Sequence, residues 1–192
     1  HMRYEGQAKQ PRVVSIGRWH PEDWRQKNPR LLMETAKRLL SRNPGTEFVI
    51  VGSMEPNLQR QFLALADQHQ GKLRVAGRLP NHEIASLLQT SQISLCSSNH
   101  ESFHIASAEA LCCGCSVVAP DLPELPSLKW FVSENSGRLA PRTPEALACA
   151  VTEELRAWRQ GGRDPQAMAS VWGKKLHADQ VATRILRLLE ED

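Results

Sequence analysis

The stretch Gln92-Ile-Ser-Leu-Cys-Ser-Ser-Asn-His-Glu101-Ser-Phe-His-Ile-Ala-Ser-Ala-Glu109-Ala-Leu-Cys-Cys-Gly114-Cys-Ser-Val-Val-Ala119 carries the alternation that decides the fold. Residues 92–97 form a short β-rich run, 102–113 read as a helix, and 116–119 are β-rich again. At about 100° per residue, Ile105, Ala108, Leu111 and Cys112 make one apolar stripe, and Ala106, Ala110 and Cys113 leave the other side apolar too. A helix apolar on most sides is a buried helix. Strand, buried helix and strand in succession predict a parallel sheet with a right-handed crossover.

The same alternation continues in both directions. Upstream, 12–16 is a strand ending at Gly17, and 29–41 is a helix with apolar Leu31, Leu32, Ala36, Leu39 and Leu40 behind the cap Asn28. After the turn Pro44-Gly45, the unbroken apolar run 47–51 reads as a strand buried on both faces. A helix at 58–70, a strand at 72–76 and a short helix at 82–89, capped by Asn81, complete this half. Downstream, the segment 121–127, with Pro120 before it and Pro123 and Pro126 within it, reads as a loop or turn-like helix. An edge strand at 137–140 and an amphipathic helix at 144–159, capped by Thr143, follow. Residues 165–190 read as a terminal helix broken near Gly173, with apolar Val171, Trp172, Leu176, Val181, Ile185, Leu188 and Leu189. The expected class is α/β, a Rossmann-like doubly wound parallel sheet of about six strands flanked by helices, with ligands at the strands' C-terminal ends.

Composition narrows the function classes. A chain of 192 residues supports one domain with a sizeable core. Its 24 Lys plus Arg against 21 Asp plus Glu leave a net charge of +3, too small and dispersed for a nucleic-acid-binding surface. Cys96, Cys112, Cys113, Cys115 and Cys149 are odd in number and sit among apolar residues. That suits reduced, buried thiols in a cytoplasmic protein, and the C-x-x-C of Cys112 to Cys115 has no second pair to complete a metal site. No apolar run of about 18 residues is available to span a bilayer, which leaves peripheral membrane association open for the full-length protein. Residues 1–2 read as an expression-tag remnant and 3–192 as the domain, excised from a longer protein.

The chemistry concentrates near the first and fourth strands. Glu109 lies four residues after Ile105 and three before Cys112, so its carboxylate emerges beside the buried stripe, where a charge is costly unless a partner or ligand meets it. The loop Gly17-Arg18-Trp19-His20-Pro21 lacks the G-x-G-x-x-G spacing of a nicotinamide or flavin site. It offers Arg18 instead, and Lys27 precedes the next helix; two cations at the ligand edge of a parallel sheet suit a diphosphate. The segment Ser97-Ser98-Asn99-His100-Glu101 leads into a helix N-terminus whose amides favour anions. Helical rise would separate Glu101 from Glu109 by roughly 12 Å, near the span from the ribose to the sugar of a nucleoside diphosphate sugar. Read without a ligand, the same residues are one capping glutamate and one buried salt bridge.

Gly17-Arg18, Lys27, Glu101-Ser-Phe103, Glu109-Ala-Leu and Cys-Gly114-Cys-Ser-Val117-Val118-Ala119 resemble, in this order, the C-terminal donor-binding domain of a GT-B glycosyltransferase, closest to the retaining family 4 (group 1) enzymes. The resemblance runs from about residue 13 to the last helix. It implies that Arg18 and Lys27 grip the donor diphosphate, Glu101 faces the donor sugar, and Glu109 binds ribose. Arg18, Lys27 and Glu101 would carry catalysis, with Ser102, Phe103, His104 and Ile105 around the donor and the base against the backbone of Arg78 and Leu79. It further implies a nucleoside diphosphate sugar as donor, no metal or other cofactor, and an N-terminal acceptor domain that this chain lacks, to which the last helix crosses back. Alone, the domain would at most bind donor. Three departures stand out: His104 replaces the usual glycine, Asp121-Leu122-Pro123 replaces a glycine pair, and Gly52-Ser53-Met54 replaces Gly-x-Gly. His104 either adds a donor to phosphate or sugar or crowds the site. The alternatives are a degenerate GT-B half with an interaction or regulatory role, and a GT-B sugar-nucleotide epimerase. The five tryptophans are expected in the core or at the domain interface, with Trp19 and Trp24 forming exposed apolar surface beside the phosphate loop.

Overall fold

The computed structural model describes residues 2–190, with side chains through residue 187, so His1 and the side chains of Leu188 and Leu189 lie outside the described residues. Strands β1 (Gln10–Ile16), β2 (Glu47–Val51), β3 (Leu73–Gly77), β4 (Ser91–Leu95), β5 (Ser116–Pro120) and β6 (Gly137–Ala140) form one parallel sheet in the order β3-β2-β1-β4-β5-β6. This is the expected doubly wound class. The order reverses between β1 and β4, and the crevice above that reversal is where such sheets hold ligands.

The helices are α1 (Trp24–Lys27), α2 (Pro29–Arg42), α3 (Pro56–Gln68), α4 (Asn81–Thr90), α5 (Ile105–Cys112), α6 (Pro126–Phe131), α7 (Pro144–Arg159), α8 (Pro165–Leu176) and α9 (Ala178–Glu190). Strand pleating sorts the core into faces. Val13, Phe48, Ile50 and Ile93 point one way and are covered by Leu32 and Leu39 of α2, Phe62 of α3, and Leu147 and Val151 of α7. Val14, Val49 and Val51 point the other way, against Leu88 of α4 and Ala110 and Cys113 of α5. Beyond α5, Leu125, Leu128 and Phe131 around α6 meet Met168 and Trp172 of α8 under β5.

Several boundaries differ from the expectations, each for a local reason. The fourth strand stops at Leu95, and the helix after it begins only at Ile105, because His104 takes the cap position and residues 96–104 form an irregular loop. Glu101 is therefore outside the helix, and helical rise does not measure its distance from Glu109. Asn81 is the first residue of α4 rather than its cap; Pro80 holds that place and lends no side-chain hydrogen bond. The terminal break falls at His177, with extended backbone, while Gly173 stays helical and its carbonyl accepts from the His177 amide. The short helices α1 and α6 have too few residues to show a period; α6 begins at Pro126, and α1 continues a 3-10 turn that begins at Pro21. Trp19 is 2 % exposed, its backbone bridged to Met54 and its indole donating to the Val51 carbonyl at 3.3 Å, so only Trp24 of that pair is exposed. Four thiols are buried as expected, whereas Cys149 is exposed on α7 beside Arg42 and Glu145.

Candidate functional site

Two loops at the β1–β4 crevice build the site. After β1 the chain must turn sharply past β2: Gly17 donates its amide to the Val51 carbonyl, and Gly52 (φ +121°) presses so close that a Cβ there would lie 1.7 Å from the Gly17 oxygen. Only glycine fits at 52. The turn delivers Arg18, whose largely exposed guanidinium pairs with Asp23 at 3.2 Å. Helix α1 then ends at Asn28 (φ +49°), which places Lys27 facing the loop after β4.

That second loop is tied to α1 through its backbone and side chains. The Asn99 amide donates to the Gln26 carbonyl at 2.7 Å, Ser97 Oγ donates to the Lys27 carbonyl at 2.8 Å, and Asn28 Nδ2 donates to Asn99 Oδ1 at 3.0 Å. Within this frame Glu101 accepts from Lys27 Nζ at 2.5 Å and Ser98 Oγ at 2.8 Å on Oε1, and from Gln26 Nε2 at 3.0 Å on Oε2. Burial pushes this carboxyl's pKa up, but the Lys27 and Ser98 hydrogen bonds outweigh it and hold it below the ordinary carboxylate range.

Glu109 differs in kind. It is half-buried on α5 and makes no hydrogen bond or ion pair with any described side chain; burial raises its pKa, and the nearby His104 opposes the shift only in part. A carboxylate so placed is an acceptor without a donor. Arg18, Gln26, Lys27, Glu101, Phe103, His104, Ile105 and Glu109 share one cleft of about 410 Å³. The side chains of Phe103 and Ile105 form its exposed apolar rim.

The His104 ring is 5 % exposed and turns inward, where Nδ1 lies 2.7 Å from Ser107 Oγ and accepts from the Ser107 amide at 3.2 Å, capping α5. Burial disfavours its charged form, yet the adjoining Cys96 and Glu101 hold its pKa above the usual imidazole value. Its backbone amide is engaged by Ser127 Oγ. The structure thus brings Arg18, Lys27, Glu101, Phe103, His104, Ile105 and Glu109 together. Ser102 is exposed outside the cleft lining, and Arg78 and Leu79 lie on the separate loop after β3. Gln26 and Ser98 escaped the sequence reading, because a polar residue next to Lys27 or in a serine-rich loop carries no periodic signal.

A larger cavity of about 680 Å³ opens beside β6 and α7; of its charged residues, Arg138, Glu153 and Arg163 are already committed to ion pairs, which leaves Glu134 as its remaining charge. Among the described residues no cluster of His, Cys, Asp or Glu is arranged to hold a metal, and no helix is long and apolar enough to cross a membrane.

Comparison with known proteins places the chain in a family. The chain is 30 % identical over 116 residues to a tRNA-queuosine alpha-mannosyltransferase of Drosophila melanogaster, covering 60 % of this chain and 30 % of the relative. It is 34 % identical over 100 residues to the GDP-mannose-dependent alpha-(1-6)-phosphatidylinositol dimannoside mannosyltransferase of Mycobacterium tuberculosis (strain ATCC 25177 / H37Ra), covering 52 % of this chain and 24 % of that one. The chain therefore spans about a quarter to a third of the length of these curated relatives. Among solved structures, a pneumococcal O-GlcNAc transferase in complex with UDP and GlcNAc superimposes with a TM-score of 0.73 at 18 % identity, over 99 % of this chain and 37 % of that one. The family model for glycosyl transferases group 1 matches residues 10–156, from β1 into α7, and with it the chain belongs to the group 1 glycosyltransferases.

Proposed function

We propose that this chain is the C-terminal, donor-binding domain of a retaining GT-B enzyme that transfers a hexose from a nucleoside diphosphate sugar. The observation that carries the reading is Glu109, a half-buried carboxylate without a protein partner among the described residues, in the same cleft as Arg18, Lys27 and Glu101. Glu109 accepts from the ribose hydroxyls. Arg18 and Lys27 neutralise the diphosphate, so the positive charge that the leaving group needs comes from side chains rather than from a metal. Glu101 receives the sugar hydroxyls. The base rests against the backbone at Arg78 and Leu79, and Phe103 to Ile105 close the donor's near side. As bond cleavage proceeds, negative charge gathers on the departing diphosphate, where the two cations are worth most.

The mannosyltransferase names of both curated relatives, and the UDP and GlcNAc in the solved neighbour, support a nucleotide-linked hexose. The acceptor would be held by a domain outside this chain, and the buried thiols suit a reducing, cytoplasmic setting. Calorimetric titration with UDP, GDP and ADP tests the reading. Saturable binding of one nucleotide, lost in Glu109→Ala, is expected. No binding by the intact chain would instead favour a GT-B half retained as an interaction module.

A further inference from the structure

Glu101 is held by three donors, and their distribution over its two oxygens restricts what a ligand can do there. Oε1 accepts from both Lys27 Nζ and Ser98 Oγ, while among the described residues Oε2 accepts only from Gln26 Nε2. A carboxylate oxygen has about two lone-pair directions, so Oε1 is saturated and Oε2 keeps one. The orientation of the Gln26 amide is settled by chemistry: an ionised carboxylate only accepts, so the nitrogen must face it. The Gln26 backbone is itself fixed, because its main-chain carbonyl accepts from the Asn99 backbone amide at 2.7 Å, and Asn99 Nδ2 in turn donates to the Arg25 main-chain carbonyl at 2.8 Å.

Resting on the donor-binding reading above, we infer that Gln26 is a specificity-determining positioning residue: by occupying one lone pair of Glu101 Oε2, it leaves a single directed acceptor for one hydroxyl of the donor sugar. Without Gln26, Oε2 has two acceptor directions and a freer torsion, and it accommodates hydroxyls of either configuration. Lys27 and Ser98 still restrain Oε1, so the phosphate side of the cleft is unchanged. The effect is therefore confined to the sugar. Selection by one well-placed hydrogen bond amounts to about tenfold in affinity.

The test uses this chain and its near-isosteric variant Gln26→Met, with calorimetric dissociation constants for UDP, GDP and their hexose conjugates in epimeric pairs. The wild type is expected to prefer one epimer. The variant is expected to bind the free nucleotide within about twofold of wild type while its epimer preference falls by about tenfold. Unchanged preference in a variant that binds nucleotide normally overturns the inference. So does an equal loss of free nucleotide and nucleotide sugar, which would mark a merely structural role; thermal melting of the variant shows whether the fold is intact. Absence of nucleotide binding by the wild type removes the donor-binding reading and this inference with it, an outcome distinct from the other two.

Discussion

Glu101 and Glu109 line the same cleft, yet their surroundings drive them in opposite directions. Glu101 has a depressed pKa, because Lys27 and Ser98 overcome the effect of burial. Its contribution to stability is present above the unfolded carboxylate value, near about 4.3, and is lost as pH falls through the lower folded value. Glu109 has a raised pKa because burial dominates and only His104 opposes it. Its contribution is present below the unfolded value and is lost as pH rises through the folded one, so its ionised form destabilises the protein at neutral pH. Thermal melts of Glu101→Gln and Glu109→Gln at pH 7 should therefore shift in opposite senses, down for the first and up for the second. Both shifts should shrink in acid as the wild-type carboxyls protonate. A lower melting temperature for Glu109→Gln at pH 7 would mean that an internal partner already stabilises the carboxylate. The same protonation weakens binding: a ribose hydroxyl bonds more strongly to the charged acceptor, so nucleotide affinity should fall with acidification from a higher pH than an ordinary glutamate would impose.

At the scale of elements, the cap Asn28 joins α1 to α2 and sits behind the site. Its Oδ1 accepts from the Leu31 amide at 3.1 Å, and its backbone adopts φ +49°, a conformation costly for most residues but tolerated by asparagine and glycine. Asn28→Ala should cost about 1–2 kcal/mol of unfolding free energy, combining the lost cap with left-handed strain. Asn28→Gly should cost less, because glycine tolerates both the backbone and the cap position. Urea denaturation of the two variants checks that order, and equal losses would show that the Asn99 contact rather than the backbone governs. This cap was legible in sequence because Asn-Pro before a periodic apolar run marks a helix start, as was Thr143 before Pro144, whose Oγ1 accepts from the Ala146 amide. Strands β2 and β6 and helix α7 were likewise plain, since their apolar period ends at unambiguous turn residues. The start of α5 was not. Residues 102–104 are compatible with helix in composition, and the contacts of this loop with α1, the Glu124 carbonyl and Ser127 keep them out of the helix. The cleft residues could be singled out one by one, but the three donors that converge on Glu101 come from segments about 70 residues apart, which no local pattern reveals.

Over the whole molecule, one fully buried charge connects the helical layer behind the sheet to the helix that bears Glu109. Glu154 of α7 is 0 % exposed and receives Arg163 Nε at 2.5 Å and Nη2 at 2.7 Å, together with Arg138 Nε of β6 at 3.2 Å. Arg163 also donates to the Glu134 carbonyl, which fixes the connection from α7 to α8. Two residues on, the Pro165 carbonyl lies against Gly114 (φ +74°), where a Cβ would come within 2.7 Å, so α8 is seated directly on the end of α5. Removing the carboxylate leaves the buried Arg163 guanidinium without an acidic partner, whereas the more exposed Arg138 keeps Glu153, and the cost of breaking such a buried pair is ~3–5 kcal/mol. For a domain of this size each kcal/mol lowers the melting temperature by roughly 2–4 °C. Glu154→Leu should thus lower it by roughly 6–20 °C, whereas the double variant Glu154→Leu/Arg163→Met, which replaces both buried charges with apolar side chains, should recover most of that loss. The contrast separates an unpaired charge from lost attraction: if the double variant is as unstable as the single one, the pair stabilises the fold through its own attraction, and the seating of α8 on α5 depends on that ionic clamp rather than on packing.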